Sequence, residues 1–207
     1  MFEDAFLIEI HRLTRNRDQI DELWSEIQAA YTSASRYYHN LDHLDSLVDT
    51  LLPIRHEIED WQVLIFSVAY HDIVYDPARH DNEERSAELA YERLTRLNLS
   101  PDRKEKCKQQ ILATKHHQVD DNADTNYFTD GDLSILGSDN ESYLVYTRQI
   151  RKEYRDFPDI LYKQGRRKVL EHFLEMEMIF KTKYFQDKYE TQARINISGE
   201  LRSLVFA

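Results

Sequence analysis

The segment Trp61–Asp72, WQVLIFSVAYHD, decides the fold of this 207-residue chain more than any other. Its longest apolar run, Val63–Tyr70, leads directly into a histidine and an aspartate. The run is far too short to cross a bilayer, which takes about 20 apolar residues, and it shows no strand-like alternation. We therefore expect a buried helix that runs roughly from Glu57 to His71-Asp72.

Helical periodicity continues on both sides of this segment. The chain contains only 4 Gly and 4 Pro, fewer than an all-β sandwich or a Gly-rich nucleotide-binding fold normally needs. We predict an all-α protein, with the acidic segment Val119–Thr129 as a loop. Other predicted helices cover residues 41–52, ending at Pro53, 82–97, and 101 to about 117, with Ser100 before the first residue. Helices are expected to resume near Asp132 and after Gly137, and again over about 158–181. The last segment, to Ala207, is predicted to be helical with a candidate break at Gly199.

Charge and cysteine content limit the partners and the compartment. Lys and Arg total 27 against 38 Asp and Glu, a net charge of -11, which opposes non-specific binding to nucleic acid. The single cysteine, Cys107, excludes an internal disulfide and a Cys-rich zinc site, as expected in a reducing compartment. The acidic N-terminus lacks the basic start of a secretory signal. We expect a cytoplasmic protein with no membrane partner.

Three short clusters bring histidines and carboxylates together. In the first, RYYHNLDH (residues 36–43), His39 and His43 are four residues apart and would share one helix face. Taken alone, the pair is better explained as two histidines on a helix surface. The second cluster is His71-Asp72. A buried carboxylate needs a partner, which a metal ion would provide, although a helix that simply ends in solvent also explains the dipeptide.

A third cluster combines ATKHH (113–117) with DGDLSILG (130–137). Asp132 alone is typical of a helix N-cap. Neighbouring helix residues point about 100° apart, so only one of His116 and His117 is expected to face a given site. Together the three clusters offer imidazole and carboxylate ligands, which suit Mn²⁺, Fe²⁺, Zn²⁺, Ni²⁺ or Mg²⁺.

The order His43, His71-Asp72 and Asp132 resembles the H…HD…D signature of the HD-domain metal-dependent phosphohydrolase superfamily. Tyr38-His39-Asn40…His43 is similar to its cyclic-nucleotide phosphodiesterase branch, in which the first histidine is an acid and the second binds metal. Asp132-Leu133-Ser134 is similar to the distal aspartate segment of that branch. Over roughly residues 20–205 the chain resembles the small predicted metal-dependent HD superfamily phosphohydrolases, through residues 38–40, 71–75, 82–87, 113–117, 130–137, 150–154, 165–166 and 193–196.

The resemblance implies a single HD-type helical domain over residues 1–207, with a metal-site core at about 36–137 and C-terminal helices at about 139–207 packed on it. The implied metal ligands are His43, His71, Asp72 and Asp132. Binuclear members have a further pair of separated histidines, where this chain has Asn82-Glu83 and adjacent His116-His117. We therefore expect one tightly held ion; a second would use His117, with Asp72 bridging.

The resemblance further implies hydrolysis of a phosphomonoester or phosphodiester, with nucleotides among the candidate substrates, by a water activated on the metal. Asp72 could orient the nucleophile, and His39 is the candidate acid for the leaving oxygen. Glu83 is a second acid/base candidate, although a carboxylate at a helix start is also favoured by the helix dipole. The candidate cations for the substrate phosphate are Arg36, Lys115, Arg151 and Arg166, the last two being more simply explained as surface salt-bridge residues.

Two other functions stay open. Some HD-fold proteins, such as inositol oxygenase, hold two irons and activate oxygen, although this chain lacks an evident six-ligand set. A ligand-binding or regulatory module could also retain the metal without turnover. Metal content and turnover together distinguish the three. The amphipathic C-terminal helices also suggest a homo-oligomer.

Overall fold

The computed structural model describes residues 1–206, and no β-strand occurs among them. The all-α prediction is confirmed. The α-helices are α1 (Phe2–His11), α2 (Arg17–Tyr31), α3 (Leu41–Leu51), α4 (Trp61–Tyr70), α5 (Asn82–Arg96), α6 (Pro101–Ala113), α7 (Ala123–Asp132), α8 (Asn140–Glu153), α9 (Asp159–Glu175), α10 (Lys183–Phe185) and α11 (Thr191–Phe206). Leu52–Glu57 and Leu133–Gly137 form 3₁₀ turns, and Gln186–Glu190 forms a π turn.

The chain divides into two compact units, residues 1–129 and residues from 130 onward. The boundary falls inside α7, which is one unbroken helix. A single domain over residues 1–207 stays a prediction.

Helix α4 is the core of the first unit. All of its residues except Gln62 are buried, and it packs against α1, α3, α5 and α6. A helix covered on every side is expected to be apolar all round, which explains the unbroken run in the sequence. In residues 1–206, no helix is both long and apolar enough to span a membrane.

The predicted start of α4 at Glu57 is wrong. Residues 52–57 form a 3₁₀ turn with Pro53 near its start, and α4 begins only at Trp61. The carboxylate of Asp60 accepts the Val63 N–H at 3.1 Å and so caps the first turn, as N-cap aspartates do.

The loop predicted for Val119–Thr129 is correct only for residues 119–122, because α7 begins at Ala123 and ends at Asp132. Asn122 Oδ1 accepts the N–H of Asp124 at 2.9 Å and caps the helix. The Asp124 side chain is buried and accepts the N–H groups of Glu59 at 2.8 Å and Asp60 at 2.9 Å. This acidic segment therefore includes the N-terminal end of α7 and is not a solvent-exposed loop throughout.

Three other predicted boundaries also change. The helix predicted to reach His117 ends at Ala113, because the chain turns there and His117 adopts a left-handed conformation with φ of 50°. The helix predicted to reach Lys181 ends at Glu175. Helix α11 continues through Gly199 without a break. Helices α3 and α5 end within one residue of the predicted positions.

In the second unit, α11 packs against α9 and against the 3₁₀ turn Leu133–Gly137. The side-chain amide of Asn196 donates to the carbonyls of Leu136 at 2.9 Å and Ser138 at 2.8 Å. These bonds fix the chain that follows α7.

Candidate metal centre

His71 follows the last residue of α4 and is buried. Its Nδ1 atom lies 3.0 Å from the carbonyl oxygen of Val68. A carbonyl can only accept a hydrogen bond, so Nδ1 carries the proton and donates it there. The Nε2 atom of the neutral ring is then left with a lone pair, as in histidines that bind a metal.

His43 lies in the first turn of α3 and is also buried. Asn40 caps this helix, because its Oδ1 atom accepts the N–H groups of Asp42 at 2.9 Å and His43 at 3.2 Å. The cap orients the first turn so that His43 Nε2 lies 3.2 Å from His71 Nε2.

His39 does not lie on α3, contrary to the helix-face argument made from its spacing with His43. Asn40 is extended, with φ of -119° and ψ of -171°, so the helix begins after His39. The two rings are nevertheless close, with centroids 5.8 Å apart in an edge-on arrangement. The two rings are close because of the turn capped by Asn40, and not because the residues share a helix face.

The spacing of the two Nε2 atoms fits a shared metal ion. Two nitrogen ligands at about 2.1 Å from one ion are roughly 3.0 Å apart at a 90° bond angle and roughly 3.4 Å apart at a tetrahedral angle. The separation of 3.2 Å between His43 and His71 falls within this interval. Zn²⁺, Mn²⁺, Fe²⁺ and Ni²⁺ all accept imidazole ligands of this kind.

Asp132 is the last residue of α7. One turn earlier on the same helix, the Phe128 ring packs edge-on against the His71 ring, with centroids 5.7 Å apart. Residues four apart lie on one helix face, so α7 brings Asp132 to the histidines. One potential ligand atom from each of His43, His71 and Asp132 lies within 4.8 Å of the others, and the group could hold a metal ion.

The alternative role of Asp132 as a helix N-cap receives no support. It stands at the N-cap position of the turn Leu133–Gly137 and makes no side-chain cap hydrogen bond there.

Asp72 lies beside the group. Its Oδ2 atom is 3.2 Å from His71 Nε2 and 3.8 Å from His39 Nε2, and its backbone N–H donates to the Tyr31 hydroxyl at 3.2 Å. Burial by itself would raise the pKa of the Asp72 carboxyl, but the imidazoles of His71, His39 and His43 outweigh burial and hold this pKa well below its usual value. Asp72 is therefore a charged carboxylate at neutral pH.

Aromatic rings surround His39. The Tyr75 ring lies 4.4 Å from the His39 ring, at an interplanar angle of 33°. The Tyr38 ring lies 5.0 Å away and nearly perpendicular. One fifth of the His39 side chain is exposed, so the ring can reach a bound molecule while its neighbours restrict its orientation.

Arg36 is already engaged in hydrogen bonds to the backbone around the site. It donates from Nη1 to the His39 carbonyl at 3.1 Å and from Nη2 to the Ile73 carbonyl at 2.9 Å. Its guanidinium also lies over the rings of Tyr31 and Tyr75, at 4.7 and 5.4 Å from their centroids.

Lys115 and Glu83 interact with each other. The Lys115 ammonium donates to the His80 carbonyl at 2.8 Å, forms a short ion pair with Glu84, and lies 4.0 Å from Glu83 Oε2. The predicted cation and the predicted acid/base residue thus meet at the first turn of α5, where the two carboxylates compensate the lysine charge.

Arg151 and Arg166 both have partners within the second unit. Arg151 donates to the carbonyls of Tyr154 at 2.7 Å and Phe157 at 3.2 Å, beyond the end of α8. Arg166 is almost fully buried and makes a bidentate ion pair with Glu200, at 2.8 and 3.0 Å. Both arginines therefore have structural partners, but the Arg166 pair is buried and not on the surface, where the salt-bridge interpretation had placed it.

The structure separates His116 from His117. His116 is exposed, whereas His117 is half-buried. The left-handed backbone of His117, an uncommon conformation for a residue with a side chain, turns the chain at this point. Within the described part of the chain, the possible metal-binding group contains His43, His71 and Asp132 but not His117.

Several contributors to the site were missed at the sequence level. The Val68 carbonyl fixes the His71 ring, but a backbone acceptor leaves no sequence signal. Tyr31 meets Asp72 from 41 residues away. Phe128 could have been found from its spacing to Asp132, had α7 been predicted as a helix.

Comparison with known proteins returned no match: no family model, curated protein or solved structure matches this chain. The interpretation of the site therefore depends on its own residues and their geometry.

Proposed function

We propose that this protein is a metal-dependent phosphohydrolase that cleaves a phosphomonoester or a phosphodiester, with nucleotides among the candidate substrates. The observation that carries the proposal is the 3.2 Å separation of two buried imidazole Nε2 atoms, with a carboxylate of Asp132 in the same group. Imidazole and carboxylate ligands without a thiolate are typical of hydrolytic metal centres.

In this proposal His43, His71 and Asp132 hold the ion, with Asp72 beside them as a further ligand. A divalent ion bound there supplies Lewis-acid chemistry, because it lowers the pKa of a water and neutralises charge on a phosphoryl oxygen. The Val68 carbonyl supports this role, since it keeps His71 in the tautomer that offers Nε2.

Asp72 orients the attacking water. Beside a divalent ion its carboxylate stays charged, and a charged carboxylate can only accept hydrogen bonds. It therefore directs a water hydrogen toward itself and the oxygen lone pair toward phosphorus.

His39 donates a proton to the leaving oxygen. Its Nε2 atom lies 3.8 Å from Asp72 Oδ2, and it is one of the imidazoles that lower the Asp72 pKa. The ring is partly exposed and is oriented by Tyr75. Glu83 is less suited to this role, because Lys115 lies 4.0 Å from its carboxylate.

The test is a turnover panel on protein first stripped with a chelator. Each of Mn²⁺, Zn²⁺, Ni²⁺, Fe²⁺ and Mg²⁺ is added separately, with p-nitrophenyl phosphate, bis-p-nitrophenyl phosphate, and linear and cyclic nucleotides as substrates. Asp132→Asn and His39→Gln are the informative variants, and Asp121→Asn and His116→Gln, both exposed, are their matched controls.

We expect turnover only with an added ion, loss of turnover in Asp132→Asn, and a decrease of about 10²–10⁴-fold in His39→Gln, the usual contribution of a general acid. Both controls should match the wild type. Two bound irons together with oxygen consumption would show that the protein is an oxygenase and not a phosphohydrolase. A bound ion with no turnover on any ester would replace it with a binding module.

A further inference from the structure

Arg36 connects the two segments that carry His39 and Asp72. Its Nη1 atom donates to the carbonyl of His39 at 3.1 Å, and its Nη2 atom donates to the carbonyl of Ile73, the residue after Asp72, at 2.9 Å. One planar group thus joins the segment before α3 to the segment after α4.

The two rings against Arg36 extend this connection to the reacting groups. Tyr31, 4.7 Å from the guanidinium carbon, accepts the backbone N–H of Asp72 through its hydroxyl. Tyr75, 5.4 Å from the same carbon, lies 4.4 Å from the His39 ring. Displacement of the guanidinium would therefore disturb His39 and Asp72 together.

The same contacts leave Arg36 poorly placed to bind a phosphate. An arginine recognises phosphate by presenting two parallel N–H groups from one edge. In Arg36 both terminal nitrogens already donate to backbone carbonyls, and the guanidinium lies over two rings. Two of the five N–H groups of the guanidinium are therefore already used by the backbone, which leaves fewer for a substrate oxygen.

We propose that Arg36 is a positioning residue, which holds the His39 ring at its working distance from Asp72 and does not bind the substrate. The inference rests on the proposed function, in which His39 is the acid. This positioning role requires a planar, forked side chain that donates hydrogen bonds in two directions and stacks on aromatic rings. Lysine keeps the charge, but its compact ammonium on a flexible stem is not a planar fork.

The experiment compares Arg36→Lys and Arg36→Met with the wild type. Arg55→Met is the matched control, because Arg55 lies over the Trp61 ring at 5.1 Å, outside the candidate site. Three quantities are measured for each protein: Mn²⁺ affinity, kcat and KM on p-nitrophenyl phosphate and an alkyl phosphate, and the histidine Cε1–H NMR signals. The His39 signal is assigned from its absence in His39→Gln.

We expect both Arg36 variants to keep the Mn²⁺ affinity, to keep KM within about twofold, and to lose about 10–100-fold in kcat, part of what a general acid supplies. The loss should be greater for the alkyl phosphate, since a poor leaving group depends more on protonation. The His39 signal should move in both variants, because the ring leaves the face of Tyr75. Arg55→Met should change none of these.

A different pattern would overturn the proposal. If Arg36→Met raises KM at constant kcat and Arg36→Lys restores it, Arg36 binds the phosphate as a charge. An unchanged His39 signal in both variants would also reject the positioning role. The NMR measurement needs no turnover, so it decides the question even if the proposed hydrolase activity is absent. If Arg36→Met does not fold, Arg36→Lys alone gives the same decision through the His39 signal.

Discussion

His43 and His71 present their Nε2 atoms to each other at 3.2 Å in a buried part of the molecule. His71 Nδ1 donates its proton to the Val68 carbonyl, so in the neutral ring the lone pair is on Nε2. A shared proton can bridge two such atoms in the metal-free protein, and a divalent cation can take the same position. This pair is the geometric basis of the proposed metal centre.

The first prediction is that each chain binds one metal ion and that the His117→Asn variant still binds one. Asparagine tolerates the left-handed backbone that His117 adopts at φ of 50°, so the variant removes the imidazole with little added strain. His117 lies outside the group formed by His43, His71 and Asp132. Elemental analysis of both proteins after Zn²⁺ loading and desalting tests this. A fall from two ions to one in the variant would establish a second site at His117.

The second prediction concerns Asp124, whose buried carboxylate accepts the N–H groups of Glu59 and Asp60. Asp124→Ala should lower the free energy of unfolding by about 2–4 kcal/mol, because it removes two partly buried hydrogen bonds to a charged carboxylate, each contributing about 1–2 kcal/mol. Asp121→Ala, an exposed aspartate nearby, should change it by less than about 0.5 kcal/mol. Urea denaturation measures both. Equal effects would mean that Asp124 does not brace the start of α4.

A third prediction compares two glycines. A Cβ atom on Gly137 would lie 2.6 Å from the Tyr189 carbonyl oxygen, whereas one on Gly165 would meet nothing within 4 Å. Gly137→Ala should destabilise the protein by about 1–3 kcal/mol through overpacking. Gly165→Ala, inside α9, should stabilise it by about 0.5–1 kcal/mol through a smaller loss of backbone entropy. Thermal and urea unfolding of the two variants should show opposite signs, and a Gly137→Ala variant at least as stable as the wild type would contradict the packing around Gly137.

The fourth prediction concerns acid stability and Asp60. Burial would raise the pKa of its carboxyl, but hydrogen bonds from Arg103 and from the Val63 N–H outweigh burial, so this pKa lies below the usual 3.8. Because the folded-state pKa is lowered, the stabilisation is complete above the unfolded-state value of 3.8 and is lost as the pH falls through the folded-state value.

Asp60→Asn keeps a capping side chain but removes the charge. It should cost about 1–2 kcal/mol at pH 7, the usual contribution of a hydrogen bond between charged groups. The difference from the wild type should stay constant down to about pH 4 and shrink below it, as seen in urea unfolding at pH 7, 5, 4 and 3. A difference that does not depend on pH would show that the charge on Asp60 adds no stability.

The parts of the fold that depend on local pattern could be predicted from the sequence. Helices α3 and α5 have clear apolar stripes, and α4 is apolar on all sides because it is buried on all sides. Helix α7 was missed, because Asp124 looks like a solvated acid until its partners Glu59 and Asp60, 64–65 residues away, are known.

In the candidate site, too, features set by the order of residues could be predicted, whereas those set by tertiary contacts could not. The order of His43, His71, Asp72 and Asp132 along the chain suggested a shared centre, and His43, His71 and Asp132 lie in one group. Whether the side chains of Arg36 and Lys115 are available to a substrate could not be predicted, because both find their partners only through tertiary contacts. Residue type alone therefore indicated charge but not whether that charge was available to a substrate.

The most direct test of the metal centre is the anomalous scattering of Mn²⁺ in crystals of the wild-type protein, with Asp132→Asn crystals as the control. We predict one peak within about 2.0–2.3 Å of His43 Nε2, His71 Nε2 and an Asp132 oxygen, the usual range for such ligands, and a weak peak or none in the variant. No peak at the two histidines in the wild type, or a peak of equal height in Asp132→Asn, would contradict the proposed centre.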